Sequence, residues 1–292
     1  MKDDLKRWVL LGTLAMLWGP SFYVIKEGLV GIPPLTLAAG RVTLAAVLLY
    51  GMVRISGSRM PTDLPFWKRF AVMGIIANVI PFSCLMIGET LAPSAIAAIF
   101  NGLAPLITAV VAHLVIPEER MTRSTLVGMI IGFGGVLLLF LPTAMQGFEG
   151  NDVLLGMLAF IGMSLGYGVS VVYSRTKLRG RPRYVAPTAQ LAAASFFLIP
   201  IALVAEGERL AYPGLEPILA LIWLAVVATA LAYVVYYALL EIAGATFLSL
   251  VTFLLPPIGI LLGLVFLDEQ IEWTSLLGCG MILSGVGFVR KG

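Results

Sequence analysis

The sequence has few charged side chains and few residues of the kinds that bind metals. Charged residues make up 12% of its 292 residues, and it has one histidine and two cysteines. A soluble domain carries about 25% charged residues, so this chain cannot cover a soluble surface of its size. A single histidine excludes an HExxH zinc site. The two cysteines lie apart in apolar runs, at Cys84 and Cys279, and are expected to be free thiols.

Motifs of enzymes and of ATP-driven pumps are also missing. The sequence has no GxxxxGK[ST] phosphate-binding loop and no nucleophile-elbow motif, and no aspartate lies in the interior of an apolar run. An enzyme acting inside a membrane needs a nucleophile and a base, or a metal set, that converge there. We therefore predict a protein that is not an enzyme, uses no cofactor and binds no nucleic acid.

Apolar side chains are abundant instead. They make up 60% of the chain, and the mean hydropathy is +1.00. A membrane-spanning helix needs about 20 mostly apolar residues. We predict an all-α integral membrane protein whose first apolar run, without an Ala-x-Ala cleavage site, is retained as a helix. The ten predicted spans are 8–26, 33–54, 66–88, 93–116, 122–141, 150–174, 184–205, 215–239, 244–267 and 271–290.

Basic residues favour one side of these spans. With a cytoplasmic N-terminus, the outer segments hold only Lys26 and Arg209, and Arg41 lies within a span. The remaining basic residues, on the inner side, are Lys2, Lys6, Arg7, Arg54, Arg59, Lys68, Arg69, Arg120, Arg123, Arg175, Lys177, Arg179, Arg181, Arg183, Arg290 and Lys291. Because cytoplasmic loops are enriched in Lys and Arg, both termini are predicted to be cytoplasmic.

The second half of the chain repeats the first. The segment Val9-Leu10-Leu11-Gly12 recurs as Val153-Leu154-Leu155-Gly156, and further matches follow in the same order. The further matches are Glu89 with Glu241, Pro105 with Pro257, Glu118 with Glu269, Gly128 with Gly278 and Gly135 with Gly285. We interpret 1–144 and 145–292 as two repeats of five helices. An odd number of spans inserts them in opposite orientations around a central cavity, which is a feature of secondary transporters.

Several stretches also match a known family. They are Leu17-Trp18-Gly19-Pro20-Ser21-Phe22, Arg41-Val42-Thr43-Leu44-Ala45-Ala46, and the paired signatures that begin at Leu103 and Leu255. On these stretches the chain resembles the ten-helix, EamA-type branch of the drug/metabolite transporter superfamily, and within it the YddG-like aromatic amino-acid exporters. The resemblance implies export of a small molecule across a bacterial inner membrane by alternating access. The chain has Pro117 and Asp268 where this family commonly has glycine.

Aromatic and polar residues in the middle of spans are the candidates for substrate contact. Trp18 lies in mid-span, although membrane tryptophans usually lie at the interfaces. Thr229, Tyr233 and Tyr237 share one helix face at i, i+4 and i+8, and a phenol hydroxyl in hydrocarbon needs a partner. Packing between helices is the alternative for each. The full candidate set is Trp18, Phe22, Asn78, Phe82, Asn101, Ser164, Tyr167, Tyr233, Tyr237 and Phe253.

Two basic residues are candidates for a functional charge. Burying the Arg41 guanidinium in a membrane costs free energy, which makes this residue a candidate for function. The alternative is a structural residue whose side chain extends outward to the membrane surface. His113 could carry protons or be a solvated side chain near an interface. Glu118 and Glu269 each precede a helix, where a carboxylate is favoured by the helix dipole, so a capping role is expected.

These features predict a cavity and its occupant. Spans 1, 3, 4, 6, 8 and 9 are expected to enclose it, while the glycine-rich spans 5 and 10 pack as a support or a dimer surface. The substrate is expected to be a net-neutral, partly apolar molecule, such as an aromatic or large apolar amino acid. Another neutral metabolite or drug, or passage through an uncoupled facilitator, remains the alternative. The protein is expected to be a monomer or a homodimer.

Overall fold

The computed structural model describes residues 2–145, 151–209, 211–267 and 273–290. In these ranges the chain is helical, without β-strands. The α-helices are α1 Lys2–Trp18, α2 Ser21–Leu29, α3 Pro34–Ile55, α4 Leu64–Gly74, α5 Ile80–Leu91, α6 Ser94–Asn101, α7 Ala104–Val115, α8 Arg123–Met145, α9 Asn151–Lys177, α10 Val185–Glu206, α11 Leu215–Ala225, α12 Ala232–Ser249, α13 Val251–Leu267 and α14 Trp273–Arg290.

The helices form a multi-pass membrane protein. By length and composition, eight helical stretches in the described ranges can cross a membrane, and the shorter apolar helices Val251–Leu261 and Trp273–Val289 follow them. The eight stretches are Asp4–Leu29, Pro34–Ile55, Leu64–Leu91, Ser94–Val115, Arg123–Met145, Asn151–Lys177, Val185–Arg209 and Leu215–Ser249. Large apolar side chains such as Leu114, Phe196 and Val204 face outward with 75% or more of their surface exposed. Lipid is the solvent that accommodates such an exterior.

Three of these stretches are irregular in the middle. α1 and α2 are separated at Gly19 and Pro20, where proline has no amide hydrogen to donate. π-helical turns occupy Ile75–Val79, between α4 and α5, and Val226–Leu231, between α11 and α12. Inserted turns of this kind are frequent at functional sites.

A glycine ends the regular helix within α12. Gly244 has φ 84°, a left-handed conformation that favours glycine, and the helix direction changes there. The stretch Leu215–Ser249 is therefore not one continuous helix: its last residues begin a new helix that leads into α13.

Glycines also bring α8 and α14 into close contact. A Cβ atom on Gly128 would lie 2.5 Å from the carbonyl oxygen of Gly285, and one on Gly135 would lie 2.6 Å from that of Gly278. Small residues allow such close backbone approach between membrane helices. The close packing predicted for spans 5 and 10 thus exists within one chain.

Glycines on α9 bring that helix against α5 and α7. A Cβ on Gly166 would lie 2.6 Å from the Pro81 side chain, and one on Gly168 would lie 2.5 Å from Ile107. This close approach places Tyr167 on α9 beside Phe82 on α5, with ring centroids 6.3 Å apart. The aromatic side of the central cavity is built in this way.

Candidate functional site

A cavity lies between the helices near the middle of the bundle. It contains about 110 Å³ in which the centre of a water-sized molecule fits. Its lining residues are Trp18, Ser21, Phe22, Ile25, Arg41, Met73, Ala77, Phe82, Leu85, Asn101, Ala104, Thr108, Met163, Tyr167, Ser170, Val171, Tyr233, Tyr236, Leu248, Ser249, Val251, Thr252 and Leu255. All of them except Arg41 belong to spans 1, 3, 4, 6, 8 and 9, the spans predicted to enclose the cavity. Arg41 belongs to span 2.

An aromatic group forms one wall of the cavity. The Trp18 ring lies 6.4 Å from the rings of Tyr233 and Tyr236, centroid to centroid, and those two rings are 5.6 Å apart. The indole Nε1 of Trp18 donates a hydrogen bond of 2.9 Å to the carbonyl oxygen of Ala228, in the second π-helical turn. This bond fixes the indole at the cavity, with its aromatic surface available for stacking.

Arg41 points inward rather than toward the membrane surface. Its side chain is buried, and its Nε and Nη2 atoms donate hydrogen bonds of 3.1 and 3.0 Å to the hydroxyl of Thr229. That hydroxyl in turn donates to the carbonyl oxygen of Leu224. The guanidinium also lies over the ring of Phe82, with its Cζ 4.2 Å from the centroid. The positive charge is therefore held at the cavity wall by a hydroxyl and an aromatic face.

A buried chain of hydrogen bonds runs behind Tyr233. Tyr237 donates its hydroxyl to Gln190 Oε1 at 2.6 Å, Gln190 Nε2 donates to Asn78 Oδ1 at 2.6 Å, and Asn78 Nδ2 donates to the Tyr233 hydroxyl at 2.8 Å. Of these four residues, only Tyr233 lines the cavity. Asn78 is thus one hydrogen bond away from Tyr233 and Tyr237 is three hydrogen bonds away, and both help to orient the Tyr233 side chain.

The other predicted contact residues divide into two groups. Phe22, Phe82, Asn101 and Tyr167 line the cavity, and the amide of Asn101 has no hydrogen-bond partner among the described residues. The buried positions that do not line it are Ser164, whose hydroxyl lies 2.6 and 2.8 Å from the carbonyl oxygens of Phe100 and Phe160, and Phe253, which packs on Gly132.

His113 lies away from the cavity. It is an exposed residue near the end of α7, and its Nδ1 accepts a hydrogen bond of 3.1 Å from the backbone amide of Met121. The contact supports the turn between α7 and α8.

Charged residues join the helices at both ends of the bundle. Lys26 on α2 lies 3.2 Å from the carboxylate of Glu89 on α5. At the opposite end, Arg175 on α9 lies 3.2 Å from the carboxylate of Glu119. That carboxylate also accepts hydrogen bonds from the amides of Ala245 and Thr246, where the chain leaves Gly244.

The helix cap predicted for Glu118 is made by another residue. At the start of α8, the helix that follows Glu118, the hydroxyl of Thr122 accepts a hydrogen bond of 3.1 Å from the amide of Thr125. Glu119 caps the helix that begins after Gly244, whereas the side chain of its neighbour Glu118 is exposed. The helix dipole favours a carboxylate near the start of α8 but does not select which side chain reaches its free amides, and Thr122, one residue before the helix, makes that contact. Glu269 lies outside the described residues.

Sequence reasoning missed several members of the site. It did not include Gln190, which links Tyr237 to Asn78, or the cavity-lining residues Ser21 and Tyr236. Gln190 carried a signal, since an amide in the middle of an apolar helix needs a partner. For Ser21 and Tyr236 the sequence carried no signal of their own, and only the adjacent candidates Phe22 and Tyr237 pointed to this region.

The helices and the cavity define a class of protein, a multi-pass membrane protein with an internal cavity. The EamA-like transporter family matches the chain twice, over residues 6–141 and 154–290. The chain belongs to this family and is a membrane transporter.

Similar proteins agree with this family membership. PecM of Dickeya dadantii is 26% identical over 280 residues, covering 94% of this chain and 88% of PecM. The uncharacterized inner membrane transporter YedA of Escherichia coli K12 is 25% identical over 283 residues, covering 97% of this chain and 90% of YedA. A solved crystal structure, 20% identical, has the same fold, with a TM-score of 0.80 and coverage of 97% and 96% of the two chains.

Proposed function

We propose that this protein is a secondary transporter that exports small, net-neutral, amphipathic metabolites across a bacterial inner membrane. Aromatic and other large apolar amino acids are the proposed substrates. The observation that carries the proposal is the central cavity, where the rings of Trp18, Tyr233 and Phe82 surround a few polar groups. A ligand site that is mostly apolar and aromatic, with a small number of placed polar groups, is typical for small organic molecules.

We propose that the chain works by alternating access between two inverted repeats of five helices. Two observations support this arrangement. The family matches each half separately. The π-helical turns Ile75–Val79 and Val226–Leu231 occupy corresponding places in the two halves. The first contributes Ala77 to the cavity lining, and the second forms hydrogen bonds with the lining residues Trp18 and Arg41. The break at Gly244 supports a count of ten spans, because it separates the eighth from the ninth. Inverted repeats of this kind rock around a central site.

The proposed location and direction rest on similarity and charge. YedA is named an inner membrane transporter, and the basic residues of this chain favour cytoplasmic termini. The net flux of a carrier follows its gradients, so the residues themselves do not set the direction of transport. Export is proposed from the resemblance to YddG-like exporters. Monomer and homodimer both remain compatible with this proposal.

Tolerance to toxic aromatic amino-acid analogues tests the proposed function in cells. Cells that express the protein are expected to grow at higher analogue concentrations than cells with the empty vector. Trp18→Ala should abolish this tolerance because it removes the ring at the cavity wall. The matched control is Trp273→Ala, since Trp273 is 84% exposed at the start of α14. Unchanged tolerance at equal membrane expression would count against amino-acid export and favour another neutral metabolite or drug.

Uptake into proteoliposomes separates coupled from uncoupled transport. Uptake of radiolabelled L-tryptophan is measured with and without an imposed pH gradient, and faster accumulation with the gradient would identify proton coupling. Saturable uptake that ignores the gradient would instead identify a facilitator.

A further inference from the structure

A single buried cation faces the cavity. Arg41 is 3% exposed, and among the cavity-lining side chains, all within the described ranges, it alone is ionised at neutral pH. Its hydrogen-bond partner in the described structure is the neutral hydroxyl of Thr229. A charge in the membrane interior is costly, and such charges are normally paired. Among the described residues, this cation therefore has no anionic partner.

The orientation of the guanidinium leaves its outer edge available. A guanidinium has five N–H donors, and the edge formed by Nε and Nη2 is occupied by the Thr229 hydroxyl. One face lies on the Phe82 ring. The edge formed by Nη1 and the second hydrogen of Nη2 remains, and this edge matches the two oxygens of a carboxylate.

The cation is placed next to aromatic surface. Thr229, which holds Arg41, follows Ala228, whose carbonyl oxygen holds the Trp18 indole. The same π-helical turn therefore holds both the Arg41 guanidinium and the Trp18 ring at the cavity. The buried hydroxyl of Ser21, which lines the cavity, lacks a hydrogen-bond partner in the described part of the protein. Buried polar groups without protein partners are uncommon and call for a ligand or water.

We propose that Arg41 binds the carboxylate of the transported molecule, whose aromatic or apolar body lies against Trp18. The assignment rests on the transport function proposed above and adds the group that the substrate must carry. One carboxylate neutralises one guanidinium, whereas a phosphate dianion leaves a net negative charge in the cavity. The described lining residues include no carboxylate to pair with an α-amino group, so the probes below carry the carboxylate with and without that group.

Matched ligand pairs test the assignment by binding to the purified protein in detergent. The probes are indole-3-propionate with its amide, and L-tryptophan with L-tryptophanamide, and binding is measured by isothermal titration calorimetry. Each carboxylate is expected to bind at least about tenfold more tightly than its amide, since the amide leaves the guanidinium without an anion. Inorganic phosphate is expected not to compete.

Substitutions at Arg41 test whether this residue causes the preference for a carboxylate over its amide. Arg41→Gln is expected to bind carboxylate and amide equally, and Arg41→Lys, which keeps the charge and loses the two-pronged edge, to retain part of the preference. The matched control Arg54→Gln, at an exposed position near the end of the same helix, should bind like the wild type. Equal affinities for acid and amide in the wild-type protein overturn the assignment, as does the absence of binding by both acids. Because this comparison uses the wild-type protein, it decides the matter even if a substitution at Arg41 prevents folding.

The binding assay separates this inference from the proposed function. If indole-3-propionate binds with the expected preference while proteoliposomes transport no aromatic amino acid, then the proposed substrate is wrong and the carboxylate site stands. If L-tryptophan and its amide are transported equally, and Arg41→Gln transports both, then the transport function stands and the carboxylate site is wrong.

Discussion

At the scale of single residues, the cavity depends on polar groups that do not themselves face it. Asn78 is fully buried, and its amide bonds both Gln190 and the Tyr233 hydroxyl. In a membrane there is no water to replace such a partner, and hydrogen bonds between membrane helices contribute about 0.6–2 kcal/mol each. Asn78 therefore stabilises the fold and orients a cavity ring with the same contacts.

A double-mutant cycle measures this coupling. In the wild-type background, Tyr233→Phe is expected to cost about 0.5–2 kcal/mol of unfolding free energy, because Asn78 Nδ2 loses its acceptor. In the Asn78→Leu background the same change should cost close to nothing, since the bond is already gone. Unfolding in mixed micelles, followed by circular dichroism, gives both values. Equal costs in the two backgrounds would contradict the hydrogen bond.

At the scale of helices, close packing of α8 on α14 leaves no room for a side chain at the contact. A Cβ on Gly285 would lie 2.5 Å from the Gly128 carbonyl oxygen and 2.6 Å from the Gly132 amide nitrogen. Gly285→Ala is therefore expected to cost about 1–3 kcal/mol of stability through overpacking. Gly287→Ala is the control on the same helix, where an added Cβ meets nothing within 4 Å. Thermal unfolding of both variants in detergent checks the difference, and equal midpoints would show that the two helices do not pack in this way.

The helix that begins after Gly244 depends on a carboxylate from another part of the chain. Glu119 accepts from the amides of Ala245 and Thr246 and pairs with Arg175. Glu119→Ala leaves these donors without their acceptor and is expected to lower the unfolding free energy by about 1–3 kcal/mol. The same substitution at Glu118, which is exposed, should have little effect.

Comparing these two variants also decides which of the two neighbouring carboxylates, Glu118 or Glu119, caps the helix that begins after Gly244. Thermal midpoints in detergent are sufficient, because the variants differ by one position and remove the same group. A larger loss for Glu118→Ala would mean that the cap of this helix belongs to Glu118 and not to Glu119.

At the scale of the whole molecule, the distribution of basic residues predicts which end faces which compartment. Alkaline phosphatase fused after Lys291 is expected to be inactive, because this enzyme folds with its disulfides only outside the cytoplasm. A fluorescent protein fused there should fluoresce. A phosphatase fusion after Tyr212, in a segment predicted to be outside, is the positive control. Phosphatase activity from the Lys291 fusion would reverse the predicted orientation.

Much of the fold could be predicted from the sequence because the lipid solvent restricts the choices. A backbone in hydrocarbon must satisfy its own hydrogen bonds, so long apolar runs become helices. Eight of the predicted runs coincide with helices long enough to span a membrane, and the break predicted between 239 and 244 falls at Gly244. The interruption at Gly19 and Pro20 follows from the missing amide hydrogen of proline.

Only the tertiary structure decided which polar residues face the cavity. Tyr233 and Tyr237 lie one turn apart on one helix face, yet Tyr233 lines the cavity while Tyr237 donates to Gln190 on α10. Arg41 had an outward and an inward alternative, and Thr229, far away in the sequence, holds it inward. Periodicity determines which side chains share a face of a helix. The neighbour that each side chain meets depends on how distant helices pack, and that packing brings Arg41 to the same cavity that Trp18 lines.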